Sequence, residues 1–143
     1  MIGVVIVAHG QLAHAFKEVT ELILGIQKNF IAVSVMADDK MDLARKKLKD
    51  AISQVNQDDG VLILTDMFGG TPSNLSLPFL EENRVEVLTG VNLPMLIKLM
   101  SLRQELINFE SLKEKLCIYG REKIIATGDL LNQRLVKQGD KLR

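Results

Sequence analysis

A histidine and an aspartate stand at the ends of two apolar runs, and their surroundings suit group transfer. The first run ends Val7-Ala8-His9-Gly10; the second ends Leu64-Thr65-Asp66-Met67-Phe68-Gly69-Gly70-Thr71-Pro72-Ser73. An imidazole can offer one ring nitrogen as a nucleophile while the other donates its proton to a carboxylate, which fixes the tautomer and stabilises positive charge on the ring. Gly69-Gly70 lets the backbone come close to a ligand, and the amides of residues 70 to 73, at a helix N-terminus, form a ready anion site. Each part also has an ordinary reading. A lone histidine after a strand is more often a loop residue, an aspartate at a strand end often caps a helix, and Gly-Gly-Thr-Pro alone is common turn chemistry. What favours function is their combination at one predicted crevice.

Other chemistry-bearing residues carry less. His14 lies on the first predicted helix and reads as a surface or half-buried residue, and Cys117 has apolar helical neighbours, so a packed thiol is expected. Asp38-Asp39 reads as a solvated turn. Two histidines and one cysteine are too few for a His-Cys metal site, so no metal and no cofactor are expected. Neither a Gly-x-x-x-x-Gly-Lys-Ser/Thr loop nor a Gly-x-Gly-x-x-Gly turn after the first strand is present.

The elements that must position His9 and Asp66 follow from periodicity. Residues 2–8 are apolar and β-branched, as suits a central strand covered on both faces. Leu12, Phe16, Val19, Ile23 and Ile26 step like the stripe of an amphipathic helix, and Met41, Ala44, Leu48, Ala51 and Val55 repeat the pattern after a second strand at 30–36. A third strand spans Val61-Leu62-Ile63-Leu64-Thr65. Pro72 opens a third helix with Thr71 as its N-cap. A fourth strand at 85–88 precedes a helix opened by Asn92-Leu93-Pro94 and running to about Leu102. Leu112, Leu116 and Tyr119 mark a fifth helix stopped by Gly120. The run Lys123-Ile124-Ile125-Ala126-Thr127 reads as a last strand with no helix after it.

Such β-α-β repetition demands a parallel sheet with right-handed crossovers. The expected fold is α/β: one doubly wound, mainly parallel sheet of order 2-1-3-4 flanked by helices. Strands 1 and 3 are then neighbours about 4.8 Å apart whose connections leave in opposite directions, and ligands collect at their carboxyl ends. The domain spans residues 1–127, with 128–143 as a C-terminal extension.

Composition narrows the partners. The chain has 143 residues, 47% hydrophobic, with 18 Lys+Arg against 18 Asp+Glu, which is enough for one core and excludes a disordered polymer. No basic surplus exists to neutralise several phosphates, and with no Trp and one Tyr there is little to stack on bases, so nucleic acid is excluded. The single Cys117, which cannot form an internal disulfide, and an N-terminus Met1-Ile2-Gly3-Val4 that carries no basic leader before its apolar run point to a reduced, cytoplasmic protein. Balanced charge leaves docking to short-range apolar contacts around the crevice, such as Met67, Phe68 and Leu12.

Three segments in order resemble a known family. Val5-Ile6-Val7-Ala8-His9-Gly10, Thr65-Asp66-Met67-Phe68-Gly69-Gly70-Thr71-Pro72-Ser73-Asn74 and Gly90-Val91-Asn92-Leu93-Pro94-Met95-Leu96, followed by Gly120-Arg121-Glu122, are similar to the mannose-type enzyme IIA components of the bacterial phosphoenolpyruvate-dependent sugar phosphotransferase system. The resemblance implies that His9 accepts a phosphoryl group on Nε2 from the phosphocarrier protein HPr and passes it to a IIB component, while Asp66 holds the Nδ1 proton. It implies a phosphate site around Gly10, Gly69, Gly70, Thr71 and Ser73. The membrane components IIC and IID are then met only indirectly. It also implies a homodimer in which the last strand pairs with the partner's sheet, which would cover an edge otherwise open to aggregation. The family usually carries serine where this chain has Thr71, which keeps the hydroxyl. Residues 128–143 do not resemble an Ala- and Pro-rich linker, so any IIB partner is expected as a separate chain.

Two other functions fit parts of the pattern. A regulatory module of the same family would also be phosphorylated on His9 but would control a partner instead of feeding a transporter. A receiver domain phosphorylated on Asp66 has its acidic residue at the right strand end, yet it needs an acidic metal-binding pair where strand 1 has Ala8-His9.

Overall fold

The computed structural model describes residues 1–141. Four parallel strands, β1 (Gly3–His9), β2 (Phe30–Val35), β3 (Val61–Thr65) and β4 (Val85–Thr89), form a sheet of order β2-β1-β3-β4. Alternation along β1 divides the interior into two layers. Val4, Ile6 and Ala8 point into a core shared with α1 (Leu12–Leu24), α4 (Leu93–Leu102) and α5 (Phe109–Glu122), whereas Val5 and Val7 meet α2 (Met41–Val55) and α3 (Thr71–Ser76). All of β1 except His9 is buried, so its apolar run has no polar face. Only its carboxyl end reaches solvent.

The second helix buries Ala44, Leu48, Ala51 and Val55, as its spacing predicts, whereas Met41 at its first position is exposed. The first does not follow its stripe. Ala13 and Thr20 are buried and Phe16 packs beside them, while Leu12, Val19 and Ile23 are exposed and Ile26 lies beyond the helix end, 91% exposed. Small side chains let the helix backbone approach the sheet, so the larger apolar residues are turned outward. Thr71 is the first residue of α3, with Gly70 in the N-cap position, and Pro72 occupies the first turn as expected. Asn92 caps α4 by accepting the Met95 N–H at 2.9 Å.

The C-terminal expectations need correcting. Gly120 does not stop α5; it is buried inside the helix, where an added Cβ would lie 2.7 Å from Met95 Cε, and the helix runs on to Glu122. The run 123–127 forms no strand: residues 124–126 have no regular structure, and a sixth helix, α6, spans Thr127–Lys141. A strand exists only by ladder pairing, and among the described residues the sheet has four strands with none beside this segment. Ile124 and Ile125 are 81% and 50% exposed, and α6 presents Leu131, Leu135 and Val136 to solvent. Of the expected extension, residues 142 and 143 lie outside the described residues. Among the described residues no helix is long and apolar enough to cross a membrane.

Candidate active site

His9 is the last residue of β1, in register with Val35 on β2, and Asp66 follows Thr65, the residue of β3 that pairs with Val7. The parallel ladder therefore brings together two residues 57 positions apart. One carboxylate oxygen, Asp66 Oδ2, accepts both the His9 backbone N–H at 2.9 Å and a hydrogen bond from His9 Nδ1 at 2.7 Å. The other, Oδ1, accepts the Met67 N–H at 2.9 Å. Main-chain donors thus hold the carboxylate in place before the ring is considered.

Partial burial pushes the Asp66 carboxyl up, but the hydrogen bonds from the His9 N–H, the His9 ring and the Met67 N–H, together with attraction to the ring, outweigh it. The group lies below its ordinary value and is ionised at neutral pH. A carboxylate facing Nδ1 requires that nitrogen to carry the proton. In the neutral ring Nε2 then keeps its lone pair. The His9 side chain is 49% exposed against 12% for Asp66, so the ring is held from below and open above.

Gly70 lies against the ring. A Cβ there would meet His9 Cε1 at 2.9 Å and Nε2 at 3.5 Å, so the missing side chain leaves room for the imidazole. Gly10 and Gly69 serve differently, with φ of 58° and 81° and no atom within 4 Å of where a methyl would sit; both are turns in the left-handed region. Thr71 is half-buried at the start of α3. Ser73 is 1% exposed and its buried Oγ has no hydrogen-bond partner. Its hydroxyl lies beneath the surface, leaving its backbone N–H as its polar group at the helix start. Pro72 has no N–H, so the run of amides at 70–73 is one shorter than its length suggests.

The remaining sequence candidates lie elsewhere. His14 is exposed on α1, and Cys117 is partly buried against the core formed with α4 and α5. Asp39 Oδ2 accepts the Met36 N–H at 2.8 Å, an ordinary turn contact. Among the described residues no three His, Cys, Asp or Glu side chains gather in a way that could hold a metal ion. Sequence reasoning did not find the Met67 N–H that anchors Asp66 Oδ1, because a backbone donor leaves no signature in residue type.

An imidazole whose Nδ1 is held by an ionised carboxylate, in a side chain about half exposed, can react as a nucleophile through its other nitrogen and take up positive charge as it does so. Comparisons with known proteins give the chain's relatives. Residues 3–117 match the family model described as the fructose IIA component of the PTS system. The chain is 37% identical over 107 residues to the PTS system fructose-specific EIIA component of Bacillus subtilis (strain 168), covering 74% of this chain and 73% of that protein. It is 29% identical over 126 residues to the PTS system mannose-specific EIIAB component of Escherichia coli (strain K12), covering 87% of this chain but 39% of that longer protein. The crystal structure of phosphotransferase system component EIIA from Streptococcus agalactiae superposes with a TM-score of 0.81 at 28% identity, covering 90% of this chain and 99% of that one.

Proposed function

From the premise that the chain belongs to the mannose-type enzyme IIA family of the sugar phosphotransferase system, we propose that it is a phosphoryl carrier acting through His9. In this reading Nε2 attacks the phosphorus of phospho-HPr. An N–P bond forms at His9 while the bond to the donor breaks, its electron pair leaving with the donor. The ring becomes cationic, and Asp66 keeps the Nδ1 proton and offsets that charge. Reversal of the same step onto a separate IIB component regenerates neutral His9. The transferring group needs positioning and charge stabilisation more than covalent help. Those fall to the turn at Gly10, Gly69 and Gly70, the Thr71 hydroxyl and the free N–H groups of Thr71 and Ser73.

The observation that supports the reading is the shared Asp66 oxygen, which engages the His9 backbone N–H and Nδ1 together, so that Nε2 is the ring nitrogen left to react. Met67, Phe68 and Leu12 are 57%, 80% and 42% exposed, and support apolar docking of HPr and IIB around the crevice. A homodimer belongs to the same proposal. A 15-residue helix standing clear of its own domain is marginal in water, and the exposed Ile124, Leu131, Leu135 and Val136 would be covered by a second copy.

The test is labelling with radioactive phosphoenolpyruvate, enzyme I and HPr. Acid-labile, base-stable label is expected on the wild type and none on His9→Ala; undiminished labelling of His9→Ala would refute the assignment. Onward transfer to a purified IIB distinguishes a carrier from a regulatory module.

A further inference from the structure

The turn between β4 and α4 contributes no side chain to the His9–Asp66 pair, yet one of its backbone bonds ends on the residue just before Asp66. The Val91 N–H donates to the Thr65 carbonyl at 3.0 Å. That carbonyl belongs to the peptide linking Thr65 to Asp66, so the bond sets the plane from which the Asp66 side chain leaves. The next residue, Asn92, uses both ends of its amide. Its Oδ1 accepts the Met95 N–H at the start of α4, and its Nδ2 donates to the Gly120 carbonyl of α5 at 3.1 Å.

Gly120 lies within the last turn of α5, where carbonyls have no helical partner; the Ile124 N–H that would reach back to it bonds Arg121 instead. One side chain therefore caps the N-terminus of one helix and satisfies an orphan carbonyl of another. Close packing makes the contact possible. Gly120 is buried, and a Cβ there would come within 3.5 Å of Asn92 Nδ2 and 2.7 Å of Met95 Cε. Few residue types can do both. Aspartate caps a helix as well as asparagine but has no donor when ionised, and serine caps but is too short to span the gap.

We propose that Asn92 is a positioning residue for the His9–Asp66 pair: it clamps the β4–α4 turn between α4 and α5, and the turn, through Val91, fixes the Thr65–Asp66 peptide. This rests on the phosphoryl-carrier reading for its kinetic consequence but not for its structural one. The carboxyl end of α5 is thereby connected to the reacting histidine by three hydrogen bonds and one strand end, without touching it.

Asn92→Asp separates the two duties, because it keeps the cap and loses the donor to Gly120. The expected result is a limiting rate of single-turnover labelling by phospho-HPr lowered by about tenfold with the half-saturating phospho-HPr concentration unchanged, since misplacement of a catalytic pair by a fraction of an ångström acts on the chemical step. The His9 Nδ1 proton should also shift or broaden in the imidazole NMR spectrum. Asn92→Ser, neutral and still capping, should behave alike, and it stands in should Asn92→Asp fail to fold. Arg103→Lys, which loosens the opposite end of the sheet, serves as the stability control and should lower the melting temperature without moving the His9 signal. An Nδ1 signal and limiting labelling rate identical to wild type in the Asn92 variants would overturn the inference. If the wild type itself takes no label, the carrier reading fails, and the NMR signal alone still decides the role of Asn92.

Discussion

Replacing Gly70 by alanine tests the geometry of the site without disturbing its backbone. Gly70 has φ −78° and ψ 170°, extended values any residue adopts, so a methyl there adds steric bulk and no conformational strain. Its Cβ would sit 2.9 Å from His9 Cε1, whereas carbon atoms prefer at least about 3.5 Å. The ring must give way by about 0.6 Å, which can stretch the 2.7 Å Nδ1–Asp66 hydrogen bond to about 3.3 Å, past the useful range. A hydrogen bond to a charged group contributes about 1.5–3 kcal/mol. Losing it from the step that makes the ring cationic corresponds to a rate about 10- to 100-fold lower. The assay is single-turnover labelling by phospho-HPr, with thermal unfolding measured in parallel. Gly69→Ala is the contrasting variant: φ is 81° with open space around the added methyl, so it should cost about 1 kcal/mol of stability and leave the His9–Asp66 bond intact. Wild-type transfer by Gly70→Ala, with an unchanged His9 Nδ1 proton signal, would refute the steric argument.

The carboxylate and a buried cation yield further expectations. Asp66→Asn should keep the fold and slow transfer at neutral pH, because an amide can still hydrogen-bond to the ring but cannot offset imidazolium charge; equal rates would remove that role from Asp66. Since the folded-state value of Asp66 lies below the ordinary carboxylate value, its stabilising contribution is present above about pH 4 and is lost as pH falls through the folded value. Urea unfolding should therefore show a wild-type advantage over Asp66→Asn at pH 7 that shrinks at pH 3. Arg103 is 5% exposed and donates to the carbonyls of Ile2, Asn29 and Lys28, and burial without a carboxylate partner pulls it down to about 10, so it remains charged at neutral pH. Lysine cannot reach three carbonyls from one nitrogen in the same fork. Arg103→Lys should cost about 1–3 kcal/mol in chemical denaturation, and a change under 0.5 kcal/mol would show that the carbonyls are satisfied otherwise.

Much of the fold was legible because strands buried on both faces read as unbroken apolar runs, as in residues 2–8 and 61–65, and because Asn92-Leu93-Pro94 announces a helix start. The misreadings have a common source. Gly120 reads as a stop because glycine ends many helices, yet here it is needed where α5 meets Met95. The apolar run at 123–127 has strand composition, but pairing is a property of a neighbour, and this chain's own sheet, among the described residues, offers none beside it. The stripe on α1 has helical spacing, but which face is buried depends on how closely the backbone can approach the sheet, and Ala13 and Thr20 decide that.

For the site, residue types and the order of the strands determined that His9 and Asp66 would meet at the carboxyl ends of β1 and β3, since a parallel sheet of order 2-1-3 leaves them no other place. Tertiary structure alone decided the rest: that a single Asp66 oxygen takes both His9 donors, that Gly70 makes room for the ring, and that Asn92 bridges to Gly120. Local periodicity reports on neighbours within a turn or a pleat. These contacts join residues 28 to 61 positions apart, and their distances of about 3 Å are set by packing, which no local pattern encodes.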